Sequence, residues 1–160
     1  MTTHMESAIA FRASSRLAGN LQQVLVELTA LHLNGKQAHW NVVGHNFRDL
    51  HLQLDEIVDA AREAGDTIAE RMRALDAVPD GRPQTVASTS LLPELPAGEQ
   101  HTAVIVDLVT TQIRDVVATL RAVHDDTDAE DPSTADLLHA VINQLEKQAW
   151  LLSSENRTAG

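Results

Sequence analysis

The chain has 160 residues, long enough for one domain with a substantial core and too short to suggest two. It carries 12 Lys plus Arg against 23 Asp plus Glu, a formal net charge of −11, which disfavours a protein that holds nucleic acid by surface charge alone. Cysteine is absent, which excludes disulfides, zinc–thiolate sites, iron–sulfur clusters and a thiol nucleophile, so any bound metal must sit among His, Asp and Glu.

Four long segments show helical period. Leu17, Leu21, Val24, Leu28 and Leu31 form a one-sided apolar stripe that continues through Gly35 and Ala38 to about Val42, where Gly44 marks a stop. The second segment opens at Asn46, a good N-cap residue, with Asp49 in its first turn. Its stripe is Leu50, Leu54, Ile57, Ala61, Ala64, Ile68, Met72 and Leu75, and Pro79, Gly81 and Pro83 end it. Residues 77–99 form a long connection with four prolines, and Ser88–Leu95 is the expected place for a short helix. The third stripe, Ile105 to Val123, fades in the acidic run Asp125 to Glu130. The fourth follows Asp131-Pro132, a cap followed by Pro at the first helical position, and runs from Leu138 to Leu152. Two tight connections and one long one predict an all-α four-helix bundle of the ferritin-like type, a single domain over 1–160 with flexible tails at about 1–14 and 155–160. No apolar run approaches the ~18 residues of a membrane span, and Met1 to Ser15 lack a basic-then-apolar leader pattern, so a cytoplasmic protein is expected.

The candidate chemistry lies between His39 and Glu70. His39 and His51 stand symmetrically about residue 45, so a helical hairpin turning there brings them face to face. His51 and Asp55 are i, i+4 and share a helix face, and Asp66 and Glu70 repeat that spacing. On a wheel with His51 at zero, Asp55 falls near about 40°, Asp66 near about 60° and Glu70 near about 100°, one sector beside the apolar stripe. Along the axis, however, Asp55 and Asp66 are about 16 Å apart, far beyond the ~2.0–2.6 Å of metal–ligand bonds. The pairs are therefore half-sites, or one is idle. A two-fold axis near residue 60 or 61, with the second helices of two chains antiparallel, would unite His39, His51 and Asp55 of one chain with Asp66 and Glu70 of another.

The stretch His39-Trp40-Asn41-Val42-Val43-Gly44, then Leu50-His51, Asp55, Asp66 and Glu70-Arg71, resembles the Dps family, the miniferritins also described as DNA-binding proteins from starved cells. The resemblance covers about residues 15–155, with one departure: Gly65 stands where the family usually carries an apolar residue. It implies a hollow homo-dodecamer with a di-iron ferroxidase site at each dimer interface, built from His39, His51, Asp55, Asp66 and Glu70. There Fe²⁺ is oxidised, preferably by hydrogen peroxide, and stored as ferric mineral, which protects against oxidative stress. It also implies that acids near the start of the last helix, here Asp126, Asp128, Asp131 and Asp136, line pores for Fe²⁺ entry; an ordinary solvated acidic turn is the other reading of this run.

Carboxylates suit Fe³⁺ and imidazole accepts Fe²⁺, so the donor set fits that chemistry. Glu56, Asp59 and Glu63 form an acidic stripe beside the ligands, a candidate mineral-nucleating face or an ordinary solvated one. Asp59 and Arg62, near the proposed axis, could pair across it. Trp40 could cover the site, scavenge a radical, or serve as a core or interface aromatic. His32 reads as structural, while His4, His45, His101, His124 and His139 have no evident partner. Two other functions remain open. A DNA-compacting protein associated with the nucleoid would use basic tails, but the first 16 residues carry only Arg12 and Arg16 against Glu6, and the last eight carry Arg157 against Glu155, so weak or absent DNA binding is expected. A metal-dependent hydrolase could activate water with the same His and carboxylate groups.

Overall fold

Ser14 starts the first helix. Its side-chain oxygen accepts from the Leu17 N–H at 3.1 Å, and α1 runs Ser15–Asn41. The computed structural model describes residues 10–160; residues 1–9, with His4 and most of the expected N-terminal tail, lie outside the described residues. The chain just before α1 is tied down, because the Ala13 N–H donates to the Leu75 carbonyl at 3.0 Å and the Ser14 N–H to Glu130 at 2.7 Å.

After α1 come β1 (Val42–Val43) and a tight turn, then α2 (Phe47–Ala74). Gly44 has φ +120°, a conformation that L side chains rarely adopt, and a Cβ there would stand 3.2 Å from the Thr102 hydroxyl. Asn46 occupies the N-cap position as expected, but in the left-handed region and without a side-chain cap; its amide instead donates to Glu155 at 3.1 Å. The short helix of the crossover, α3, spans Pro83–Thr89 rather than Ser88–Leu95. Pro83 suits the first helical turn, whereas Pro93 would have broken a helix placed over 88–95. β2 (Gln100–His101) pairs in parallel with β1, Val42 opposite Gln100 and Val43 opposite His101, a contact too short to show as a sequence pattern. α4 (Thr102–Glu130) continues through the acidic run in which its stripe fades, and α5 (Pro132–Ser153) starts at Pro132 as expected. A 3₁₀ turn, Ser154–Asn156, follows, and the Asn156 amide donates to the Ala103 carbonyl at 2.8 Å.

These end contacts define the topology. The α1–α2 turn, the start of α4 and the end of α5 meet at one end of the bundle. The start of α1, the end of α4 and the start of α5 meet at the other, where Asp131 bonds Arg71 and Glu130 holds Ser14. The helices therefore run up, down, down and up, and residues 75–99 carry the chain back along the bundle's length. The expected stripes face inward: Leu21, Leu28, Leu54, Ile68, Ile113 and Leu138 are fully buried. Burial of each such side chain contributes about 1.5–3 kcal/mol.

The crossover is held by buried polar groups. Glu27, fully buried in α1, accepts from the Ser90 hydroxyl at 2.9 Å and from the Leu91 N–H at 2.8 Å, with the Gln23 amide at 2.6 Å. Gln112 of α4 accepts from Asn34 and donates to the Pro93 carbonyl, both at 2.9 Å.

Two glycines in helix interiors differ in what surrounds them. A Cβ on Gly35 would stand 2.9 Å from a Val58 methyl, at the α1–α2 contact, and Val58 is itself buried and stiff at χ1. A Cβ on Gly65 would meet only Leu25 and Leu28 at 3.9 Å, ordinary contact distance. Gly35→Ala is expected to destabilise the fold by about 1–3 kcal/mol and Gly65→Ala to stabilise it by roughly 0.5–1 kcal/mol. Urea-unfolding midpoints shifting in the same direction for both variants would contradict this packing.

Candidate metal centre

His39 lies in the last turn of α1 and His51 near the start of α2, and the tight turn between them stacks the two rings, centroids 3.7 Å apart and planes at 17°. His39 Nδ1 is 2.7 Å from the His51 carbonyl oxygen, and His51 Nδ1 is 2.8 Å from the His39 carbonyl oxygen. A carbonyl can only accept, so each Nδ1 bears the proton and donates. Both Nε2 atoms are thereby left as lone-pair donors, the state in which imidazole binds a metal. Phe47 stacks on His51 with centroids 5.2 Å apart.

Asp55, one turn beyond His51, places Oδ1 3.8 Å from His39 Nδ1. The same oxygen accepts from Lys36 Nζ at 2.6 Å. That bond is the main cause holding the Asp55 carboxyl below its ordinary range, against a smaller opposing effect of burial. His39 is buried, while His51 and Asp55 are half-buried, so the trio opens at the surface of the α1–α2 face. The sequence reading did not single out Lys36. Its signal was the i, i+3 spacing to His39, which puts it one turn away on the same helix face.

Asp66 and Glu70 do not join this trio. Both are exposed on α2, which is continuous over Phe47–Ala74, so the separation of about 16 Å from Asp55 stands. Among the described residues no three His, Asp or Glu side chains converge as a complete metal set. Asp66 instead lines an open groove of about 690 Å³ with His32, Asp59, Arg62 and Glu63 on the α1–α2 face. Burial, with Arg62 and Lys36 nearby, lowers the pKa of His32. Glu56 is also exposed, while Asp59 and Arg62 form no ion pair with each other among the described residues. Trp40, 66% exposed beside His39, is not a core residue.

A model of the ferritin-like domain family matches residues 18–158. The chain is 34% identical over 156 residues to the DNA protection during starvation protein of Agrobacterium fabrum, covering 96% of each. The chain belongs to the Dps family of ferritin-like proteins. It is also 38% identical over 130 residues to DNA protection during starvation protein 2 of Deinococcus radiodurans, spanning 81% of this chain but only 54% of that relative. Among solved structures, Dps from Microbacterium arborescens in its high iron form superposes with a TM-score of 0.84 at 32% identity, covering 91% of this chain and 98% of that one.

The remaining acids that resemble Dps pore residues are divided in the structure. Asp126 is paired with Arg16 at 2.6 Å, and Asp131 with Arg71 at 2.8 Å. Asp128 and Asp136 are exposed. Asp125 to Glu130 are helical, so the acidic run is the last part of α4 and not a separate turn. Burial pushes the Asp131 carboxyl up, but hydrogen bonds from Thr134 and Arg71 outweigh it and hold the carboxyl below its usual value.

A depressed carboxyl pKa stabilises the fold above the ordinary carboxylate range near about 4, and that contribution is lost as pH falls through the depressed value. Arg71→Met is therefore expected to cost about 2 kcal/mol at neutral pH. The gap to wild type should shrink below about pH 4. Denaturant unfolding of both proteins across this range measures it; a gap that widens in acid would contradict the assignment.

Proposed function

We propose that this Dps-family protein is an iron-storage and detoxification ferroxidase. Its centre lies between two subunits, with His39, His51 and Asp55 from one and Asp66 and Glu70 from the other. Iron is the substrate. Two Fe²⁺ each give up one electron, hydrogen peroxide takes both electrons and two protons, and two waters leave; the ferric product is stored as mineral inside a homo-dodecamer. The observation that carries the reading is the reciprocal ring-to-carbonyl bonding of His39 and His51. It fixes both tautomers and leaves each Nε2 without a proton, on two rings whose neighbouring carboxylate, Asp55, lies 3.8 Å from His39 Nδ1. The exposed Leu33, Trp40, Phe47 and Leu52 on the two helices that carry the ligands support a partner chain on this face. Family membership supports cytoplasmic storage. Among the described residues no helix is long and apolar enough to cross a membrane.

The curated relatives are named for DNA protection, which keeps DNA binding as a second reading. Here Arg12 is paired with Asp76 at 3.0 Å and Arg16 with Asp126, so the N-terminal cations already have anionic partners, and with a net charge of −11 weak or absent binding is expected. A gel shift at low salt, where phosphate contacts count most, checks it.

Complementation tests the shared centre. A variant lacking His39 and His51, and another lacking Asp66 and Glu70, should each be inactive as homo-oligomers. After dissociation, mixing and reassembly, half of randomly formed dimers are mixed and each has one intact site of two. Fe²⁺ oxidation should recover to about a quarter of wild type. No recovery after proven subunit exchange would refute the shared centre.

Lys36 gives a further expectation. Its ammonium occupies one oxygen of Asp55, where an incoming cation must compete. Lys36→Met should tighten binding of Fe²⁺, or of Co²⁺ as a non-oxidising substitute, by roughly tenfold, about 1.4 kcal/mol. Weaker binding on titration calorimetry would show that Lys36 assists the site.

A further inference from the structure

At the opposite end of the bundle from His39 and His51, two other histidines meet. His124 on α4 and His139 on α5 stack with ring centroids 4.7 Å apart and planes at 29°. Their Nε2 atoms face each other at 2.6 Å. Each Nδ1 has its own carboxylate: Asp125 Oδ1 lies 3.0 Å from His124 Nδ1, and Asp136 Oδ1 lies 3.5 Å from His139 Nδ1. The Asp125 oxygen beside His124 Nδ1 favours the tautomer with the proton there, which turns the His124 Nε2 lone pair toward the other ring. His139 then donates its Nε2–H across the 2.6 Å contact, and a metal ion that displaces this proton would find both Nε2 atoms already converging on it.

We propose that His124 and His139 form a second, intrachain metal site that takes a divalent transition ion preferring imidazole, such as Zn²⁺ or Cu²⁺. The arrangement supplies what such an ion requires. Two neutral imidazoles can present Nε2 to the ion, and a carboxylate stands behind each ring, where it orients the imidazole. Among divalent first-row ions, Cu²⁺ and Zn²⁺ bind nitrogen donors strongly, while Mg²⁺ and Ca²⁺ prefer all-oxygen sites. Two nitrogens bound to one ion at about 2.0–2.1 Å with tetrahedral angles stand roughly 3.3 Å apart, so the rings must open by well under about 1 Å. Both rings reach solvent, with side-chain exposures of 25% for His124 and 51% for His139, and they line an open cleft of about 460 Å³. Water can thus complete the coordination that two protein donors leave open. Arg121 lines the same cleft, but its charge is paired with Glu146 at 2.5 Å, which reduces its repulsion of an incoming cation. The site is independent of the ferroxidase reading, since it uses none of those ligands and lies within one chain.

The test uses the assembled protein carrying His51→Ala and Asp55→Ala, which removes the other candidate metal centre. Equilibrium dialysis against Zn²⁺ should show one ion bound per chain. Adding His124→Ala or His139→Ala should weaken that binding at least about tenfold, and Asp125→Asn, which removes a ring-orienting carboxylate, by about tenfold. Cu²⁺ bound to the parent should show electron-spin coupling to two imidazole nitrogens, reduced to one in either histidine variant. Because both side chains are partly exposed, the variants should keep the parent's helical circular dichroism. Failure of the parent to bind Zn²⁺, or equal binding with and without the two histidines, would overturn the proposal.

Discussion

The path of the crossover is the constraint on which the bundle depends. α2 ends at one end and α4 begins at the other, so the chain must travel the bundle's full length with little regular structure of its own. Its backbone groups still need partners. Glu27 supplies them from inside α1, an unusual place for a glutamate, by accepting from Ser90 and Leu91. Gln112 performs the matching task from α4 at Pro93. A polar group so deeply buried is tolerated because donors converge on it, and removing it would strand those donors. The cost of burying Glu27 thus fixes one route for the segment among the many that a proline-rich connection could take.

The same use of polar groups to fix geometry recurs at the candidate metal centre. Stacked imidazoles gain little from stacking alone. Their exchange of Nδ1–H bonds with each other's backbone carbonyls ties ring orientation to the relative position of α1 and α2. The packing of those helices, close enough at Gly35 to leave no room for a methyl, therefore sets the direction of the two Nε2 donors. Asp55 and Lys36 complete a small electrostatic assembly in which the lysine favours the ionised carboxylate.

Much of the fold was legible because one physical effect dominates it. Stripes such as Leu17 to Leu31 and Leu50 to Leu75 repeat at helical period over many turns, and the cores they predict are the cores observed. Proline spacing gave the crossover's existence but not its helix, since propensity over seven residues competes weakly with tertiary contacts. The symmetry of His39 and His51 about the turn foretold their meeting, and the i, i+4 step placed Asp55 beside them. Glu27 and the His124–His139 pair were not legible, and Lys36 showed only its spacing to His39. The Ser90 and Leu91 partners of Glu27, the Asp55 partner of Lys36 and the second histidine of the pair lie far along the chain or on another helix, and no local period records those contacts. Gly65 has room for a larger side chain, because Leu25 and Leu28 stand at ordinary contact distance from where a Cβ would lie.

The two-residue pairing of Val42–Val43 with Gln100–His101 has a consequence for how the molecule opens. It joins the two residues that follow the crossover to Val42 and Val43, which lie just beyond the end of the helix that carries His39. Loosening the crossover peels β2 away and releases the strand that positions the histidine hairpin. The site and the long connection then belong to one cooperative unit of local opening, and amide protons of Val43 and of the residues around Gln100 would exchange with solvent through a single shared event.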